Sequence, residues 1–205
     1  MDIKNITSLK HKTLYVDRSW MAVVLFALFF SILLTGCAEK TPSTFEATQT
    51  TKPSVSNPDA SLTRAEAAIV ILLGMHGNAY LPPAASGTIF SDVSADSFGA
   101  AWIEEFTLEG ITSGCGDGKY CPDTNITHAQ MAVFLLKGKY GSSYVPPVAN
   151  GIFSDVPVGS FGANWIEQFV LEGIGSDCGS GMYCPSRLVT RAEMAVFLKK
   201  TFNLP

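Results

Sequence analysis

The residues best suited to chemistry sit in two short stretches, "GCGDGKYCPD" at 114–123 and "DCGSGMYCPS" at 177–186. Each holds two cysteines with five residues between them: Cys115 and Cys121 in the first, Cys178 and Cys184 in the second. Paired cysteines serve metal ligation, redox exchange or cross-linking. Zinc ligand pairs usually enclose two to four residues, so this spacing suits zinc poorly, and a four-cysteine site would need the two loops side by side. A dithiol redox centre wants Cys-x-x-Cys, which is absent. Calcium wants oxygen ligands, yet Asp117 and Asp123 become Ser180 and Ser186 in the second stretch, so the acids are not what the loops share. They share Cys, Gly, Tyr and Pro. In an exported chain, cysteines so paired read as disulfides. Four cysteines allow three pairings, and a pair in each loop favours the local ones, Cys115–Cys121 and Cys178–Cys184. In the chain-entropy account a seven-residue loop contributes about 2.4 kcal/mol.

Export is read from the N-terminus. Residues 1–36 carry Lys4, Lys10, Lys12 and Arg18, then fourteen uncharged residues from Met21 to Leu34. A membrane span needs about 20 apolar residues, whereas a basic region before a shorter apolar run has the form of an export signal. The run ends in "LTGC", Leu34–Cys37, which resembles the lipobox of bacterial lipoproteins. The resemblance implies cleavage before Cys37 and lipidation of that residue. Ala38 stands where an inner-membrane retention signal would have Asp, which by the same resemblance implies the outer membrane. Residues 37–61 are rich in Thr, Ser and Pro and read as a flexible tether with a reach of about 25–30 Å. The chain has 14 basic and 18 acidic residues; 4 and 2 of these lie in 1–36, leaving 10 and 16 and a net charge of −6. No basic run follows residue 36, which argues against nucleic acid as a partner.

The remaining residues are dominated by an internal repeat. Residues 90–137 align without gaps on 153–200 with 31 of 48 identities. A third, partial copy precedes them, because "LTRAEAAIVILL" at 62–73 matches "ITHAQMAVFLLK" at 126–137 and "VTRAEMAVFLKK" at 189–200. The organisation expected is therefore a partial repeat at 62–89, a repeat at 90–152 and a repeat at 153–205. Thr63, Thr127 and Thr190 each precede Glu66, Gln130 and Glu193 by three residues, the pattern of a helix capping box. The helices that follow are apolar nearly all round, as at Met131, Phe134 and Leu135, and so are expected to be buried. A second helix type is expected within Ser97–Ile111 and its copy, with Ile103 and Phe106 inward, Glu104 and Glu105 outward, and Gly110–Ile111 forming a Schellman stop.

Together, "FSDV", "WI", "LEGI", "YCP" and "TRAEMAVFL" resemble the S-layer homology family. That resemblance implies an all-α fold: a small helical repeat domain shaped as a pseudo-threefold prism, here with one lobe incomplete because the first copy lacks its "FSDV … GI" half. It further implies grooves that bind cell-wall polysaccharide or a peptidoglycan-linked polymer. The polymer-binding residues it implies are Arg64 and Arg191 of "TRAE", Trp102 and Trp165, and Asp92 and Asp155; the middle copy has His128 in place of the arginine. A guanidinium in the first helical turn opposes the helix dipole and suits an anionic sugar substituent, to which it can donate two parallel hydrogen bonds. Asp92 and Asp155 could equally cap a turn. No Gly-rich phosphate loop, His-Glu-x-x-His or Gly-x-Ser-x-Gly occurs, so no enzyme, cofactor or metal is expected. The function expected is a non-catalytic anchor tying membrane to wall. The alternative is a protein-interaction module docking an S-layer or other envelope protein.

Overall fold

The computed structural model describes residues 57–205, so the export signal, Cys37 and the tether up to residue 56 lie outside the described residues. Within them the chain forms five helices: α1 (Arg64–His76), α2 (Ala100–Leu108), α3 (His128–Tyr140), α4 (Ala163–Leu171) and α5 (Arg191–Phe202). The only β features among the described residues are isolated bridges, in agreement with the all-α expectation. None of the described helices is long and apolar enough to cross a membrane.

The longer helices begin as their sequence dictates. The Glu66 N–H donates to Thr63 Oγ1 (3.2 Å), and the Thr63 N–H donates to the Glu66 carboxylate (2.9 Å). The same reciprocal pair forms between Thr127 and Gln130 and between Thr190 and Glu193. Each box satisfies two orphan N–H groups and contributes about 1 kcal/mol. The shorter helices α2 and α4 start after Gly99 and Gly162 (φ 72° and 76°). They end in the expected Schellman pattern: Ile111 N–H to Phe106 O with Gly110 N–H to Thr107 O, and Ile174 N–H to Phe169 O with Gly173 N–H to Val170 O. Gly110 and Gly173 supply the left-handed residue this stop requires (φ 73° and 69°).

The helices α1, α3 and α5 pack pairwise on one another, α2 lies on α1, and α4 lies on α3. Phe106 of α2 also meets Phe134 of α3 edge-on, with ring centroids 5.0 Å apart, and Phe169 of α4 meets Phe197 of α5 at 5.3 Å. Each outer helix thus joins two central ones. Ile71, Leu72, Phe106, Met131, Leu135 and Phe169 are fully buried there, each contributing about 1.5–3 kcal/mol of transfer free energy.

The helix starts are linked in a cycle. The Leu62 N–H donates to Val189 O, Val189 N–H to Ile126 O, and Ile126 N–H to Leu62 O (2.8, 3.0 and 2.9 Å). The free N–H groups at each helix start are taken by carbonyls of the segment that leads into the next central helix. Arg64 and Ala65 donate to Thr124 and Pro122, His128 and Ala129 to Arg187 and Pro185, and Arg191 and Ala192 to Ala60 and Pro58. Residues 58–60 therefore do the work of 122–124 and 185–187. The tether expected to run to residue 61 gives way to docked chain by Pro58.

Helix α5 differs from its sisters. On α1, Ala65, Ala68, Ile69 and Leu72 are buried under α2, and on α3, Ala129, Ala132 and Leu136 are buried under α4. The α5 counterparts Ala192, Ala195 and Val196 are exposed, and the fourth is Lys199. A lysine at that step keeps an uncovered face soluble.

One expectation is overturned. Glu104 was expected to face outward and does not; it and its copy Glu167 are buried. The Glu167 carboxylate accepts from the N–H groups of Asn150, Gly151 and Ile152 at 2.6–2.9 Å, and Glu104 accepts from the N–H groups of Ser86 and Gly87, both at 2.7 Å. A nest of backbone N–H groups replaces water around each anion. Helical periodicity on its own cannot distinguish such a nest from solvent.

Candidate binding site

The two glycine-rich loops are closed by Cys115–Cys121 and Cys178–Cys184, the local pairing. Each loop is held from outside by the "FSDV" segment. Tyr120 N–H and Cys121 N–H donate to the two carboxylate oxygens of Asp92, both at 2.8 Å. Tyr183 N–H and Cys184 N–H do the same to Asp155 at 2.8 and 2.7 Å. The hydroxyls of Ser91 and Ser154 donate to the carbonyls of Gly118 and Gly181. Asp92 and Asp155 therefore spend an oxygen on each of two N–H groups of the loop, and they cap no helix.

Desolvation alone would raise the Asp92 carboxyl, but the two N–H donors outweigh it and hold it below the usual carboxylate range. The N–H donors of the connectors do the same for Glu104 and Glu167. A depressed folded value stabilises the fold at pH above the unfolded value, about 4, and the contribution is lost as pH falls through the folded value. Urea midpoints should thus hold level above about pH 5 and fall below about pH 4. Asp92→Asn should flatten that fall. A midpoint unchanged down to pH 3 would contradict this account of the carboxylates.

Each loop presents its tyrosine to the start of the preceding central helix. Arg64 Nε donates to Tyr120 O and Tyr120 OH donates to Arg64 O, both at 2.8 Å. The guanidinium lies over the Tyr120 ring at 4.8 Å and near the Phe134 ring at 5.5 Å. Arg64 is only 3% exposed, and its buried Nη2 has no hydrogen-bond partner. Burial pulls this guanidinium below its ordinary pKa. Arg191, the second "TRAE" arginine, instead forms an ion pair with Glu66. The residue on α3 that corresponds to Glu66 is the neutral Gln130, and Arg64 makes no direct ion pair among the described residues; the carboxylate that acts on it, without direct contact, is Asp92.

His128 occupies the corresponding place on α3. Tyr183 OH donates to its carbonyl (3.2 Å), and its ring meets the Tyr183 and Phe197 rings edge-on. The two tryptophans sit elsewhere. Trp102 packs edge-on against Tyr80, which stacks on His76 in the last turn of α1, whereas Arg64 opens that helix. Trp165 packs in the same way on Tyr144, which stacks on Tyr140 at the end of α3. Helix α1, with 13 residues, is about 20 Å long at 1.5 Å per residue. The structure brings Arg64 and His128 each together with a loop tyrosine, leaves Arg191 with Glu66, and sets the tryptophans beside the Pro-Pro connectors.

Two groups were missed in the sequence: the buried Glu104 and Glu167, and the cations Arg187 and Lys200 beside His128. The first pair had a signal, since both copies keep Glu there while the next position changes from Glu105 to Gln168.

The fold and these loop-to-helix contacts define a disulfide-stapled helical repeat module. The S-layer homology domain model matches residues 89–132. The chain is 32% identical over 157 residues to Cell surface glycoprotein 1 of Acetivibrio thermocellus, covering 71% of this chain and 7% of that protein. It is 26% identical over 121 residues to a Cell surface protein of Thermoanaerobacter kivui (58% of this chain, 16% of that protein). It is 29% identical over 132 residues to Exoglucanase XynX of Acetivibrio thermocellus (62% and 12%). The chain thus spans between 7% and 16% of the length of these curated relatives.

Proposed function

We propose that this chain is a non-catalytic cell-envelope protein whose repeats hold cell-wall polysaccharide or a peptidoglycan-linked polymer, while a lipid on Cys37 ties it to the outer membrane. The domain is then a three-lobed prism with one lobe incomplete: the outer half that the first sequence copy lacks leaves α5, among the described residues, without a covering helix. The single observation that carries the polymer reading is Arg64, a buried guanidinium whose Nη2 has no hydrogen-bond partner and which, among the described residues, makes no direct ion pair. Such a group favours an anion, and a planar carboxylate best of all. Asp92 and Asp155 contribute by fixing the loops, and the half-buried Trp165 offers a ring edge beside its connector, whereas Trp102 is buried. The matched names, all but one of them cell-surface proteins, support an envelope setting. The shared stretch is a small part of the exoglucanase and carries no catalytic argument.

Sedimentation of the full-length protein with purified sacculi tests this. Arg64→Gln should cut retention at least tenfold. Arg191→Gln should leave it within about twofold, because Glu66 already neutralises that side chain. Retention of the Arg64 variant at the wild-type level sinks the reading. A second function, docking an S-layer or other envelope protein, is favoured by the uncovered face of α5 at Ala192, Ala195 and Val196.

A further inference from the structure

The groove at the start of α3 has lost the "TRAE" arginine to His128, and it alone has gained another. Arg187 aligns with Thr124 in the repeat before and with Ala60 in the partial copy. A pocket of about 290 Å³ opens here between the 174–187 loop and α5, with His128, Tyr183, Arg187, Glu193, Val196 and Lys200 in its wall. His128 is 3% exposed and its buried Nε2 has no hydrogen-bond partner, standing 3.5 Å from the Glu193 carboxylate.

Arg187 is held at the rim. Its side chain is 51% exposed, and Nη2 meets Glu193 Oε1 at 2.6 Å. Glu193 is itself fixed by the capping box of α5. A guanidinium has five N–H donors, so this anchoring leaves others free for a second acceptor. Lys200 also lines the pocket, its Nζ donating to Ile174 O at 3.3 Å. Two cations against one carboxylate give the pocket a positive balance in a chain that is acidic outside it. The α5 rim stays open because no helix among the described residues covers Ala192 and Val196, the latter 50% exposed. Val196, Ile174 and the ring edges of Tyr183 and Phe197 supply an apolar wall. Small-ligand pockets begin at about 300 Å³, so this one has room for one ring rather than an extended chain.

We infer that Arg187 is the anion-gripping residue of this groove, supplying from the loop the guanidinium that position 128 lacks. Its ligand is a single sugar ring bearing a carboxylate, with the carboxylate on Arg187 and the ring's C–H face against Val196 and Ile174. A bare phosphate would leave that apolar wall unused. The ligand class rests on the wall-polymer reading; the assignment of Arg187 rests on the pocket.

The chain has three histidines, so the ring signals of His128 can be followed by NMR in full-length protein held in detergent. Galacturonate should move the His128 signals, and galactose at equal concentration should not. Arg187→Gln should weaken galacturonate at least tenfold, and Lys199→Gln, at an exposed position outside the pocket wall, should leave it within about twofold. Equal response to galactose, or wild-type galacturonate binding by the Arg187 variant, overturns the assignment. If sacculi fail to retain the protein while galacturonate still binds through Arg187, the wall reading falls and this pocket stands; the reverse pairing removes the pocket alone.

Discussion

Reducing both disulfides is expected to lower the free energy of unfolding by about 4–5 kcal/mol. Each closes a seven-residue loop, and loop entropy assigns each about 2.4 kcal/mol. The effect should reach beyond the loops themselves. Cys121 and Cys184 both sit in the left-handed region (φ 59° each), which costs a non-glycine residue about 1–2 kcal/mol. The cross-link and the Asp92 and Asp155 bonds hold them there. The residues that follow them, Pro122 to Thr124 and Pro185 to Arg187, supply the carbonyls that close α1 and α3. A domain of this size is stable by about 5–15 kcal/mol, so the loss is a large share of the total. Urea unfolding with and without reductant measures it, and Cys121→Ser with Cys184→Ser should match the reduced protein. A change below about 1 kcal/mol would mean that the aspartates fix the loops unaided.

The second large effect is expected at Glu167. Glu167→Ala should cost about 3 kcal/mol, because the N–H groups of Asn150, Gly151 and Ile152 lose their acceptor together. Hydrogen bonds to a charged group contribute about 1.5–3 kcal/mol each, and water entering the vacated space recovers part of the sum. At about 2–4 °C per kcal/mol for a chain of this length, Tm should fall by about 6–12 °C. Leu171→Ala on the same helix is the control, since Leu171 is exposed and should stay within about 0.5 kcal/mol. If Glu167→Ala melts within about 2 °C of wild type, the connector does not depend on its clamp.

Local rules made much of the fold legible. The capping boxes at Thr63, Thr127 and Thr190 need only residues three apart, and the Schellman stops at Gly110 and Gly173 need one glycine and one apolar neighbour. The disulfide pairing followed from one cysteine pair per copy. What stayed hidden involves partners far apart in sequence. Glu104 looked solvated because its N–H donors lie 17 and 18 residues upstream. Asp92 looked free to meet a ligand, or to cap its own turn, because its donors lie 28 and 29 residues downstream. Arg64 and Arg191 are indistinguishable in sequence. Only the packing of three helices around a cycle sets Arg191 on Glu66 and Arg64 between the rings of Tyr120 and Phe134. The early start of the docked chain was within reach, since "NPD" at 57–59 echoes "CPD" at 121–123.

The docking of residues 58–60 on α5 bears on how the molecule answers mechanical force. Tension applied from the N-terminal side of Asn57 first meets the bonds from Ala192 N–H to Pro58 O and from Arg191 N–H to Ala60 O, and then the bond from Leu62 N–H to Val189 O. All three are made to residues at or just before the last helix. A pull at the start of the domain is therefore passed to its far end before α1 feels it. In an open array, whose repeats touch only their neighbours, the first unit would peel away alone. Here resistance to peeling comes from closure of the cycle, and a chain cut short before α5 would lose its grip at the other terminus.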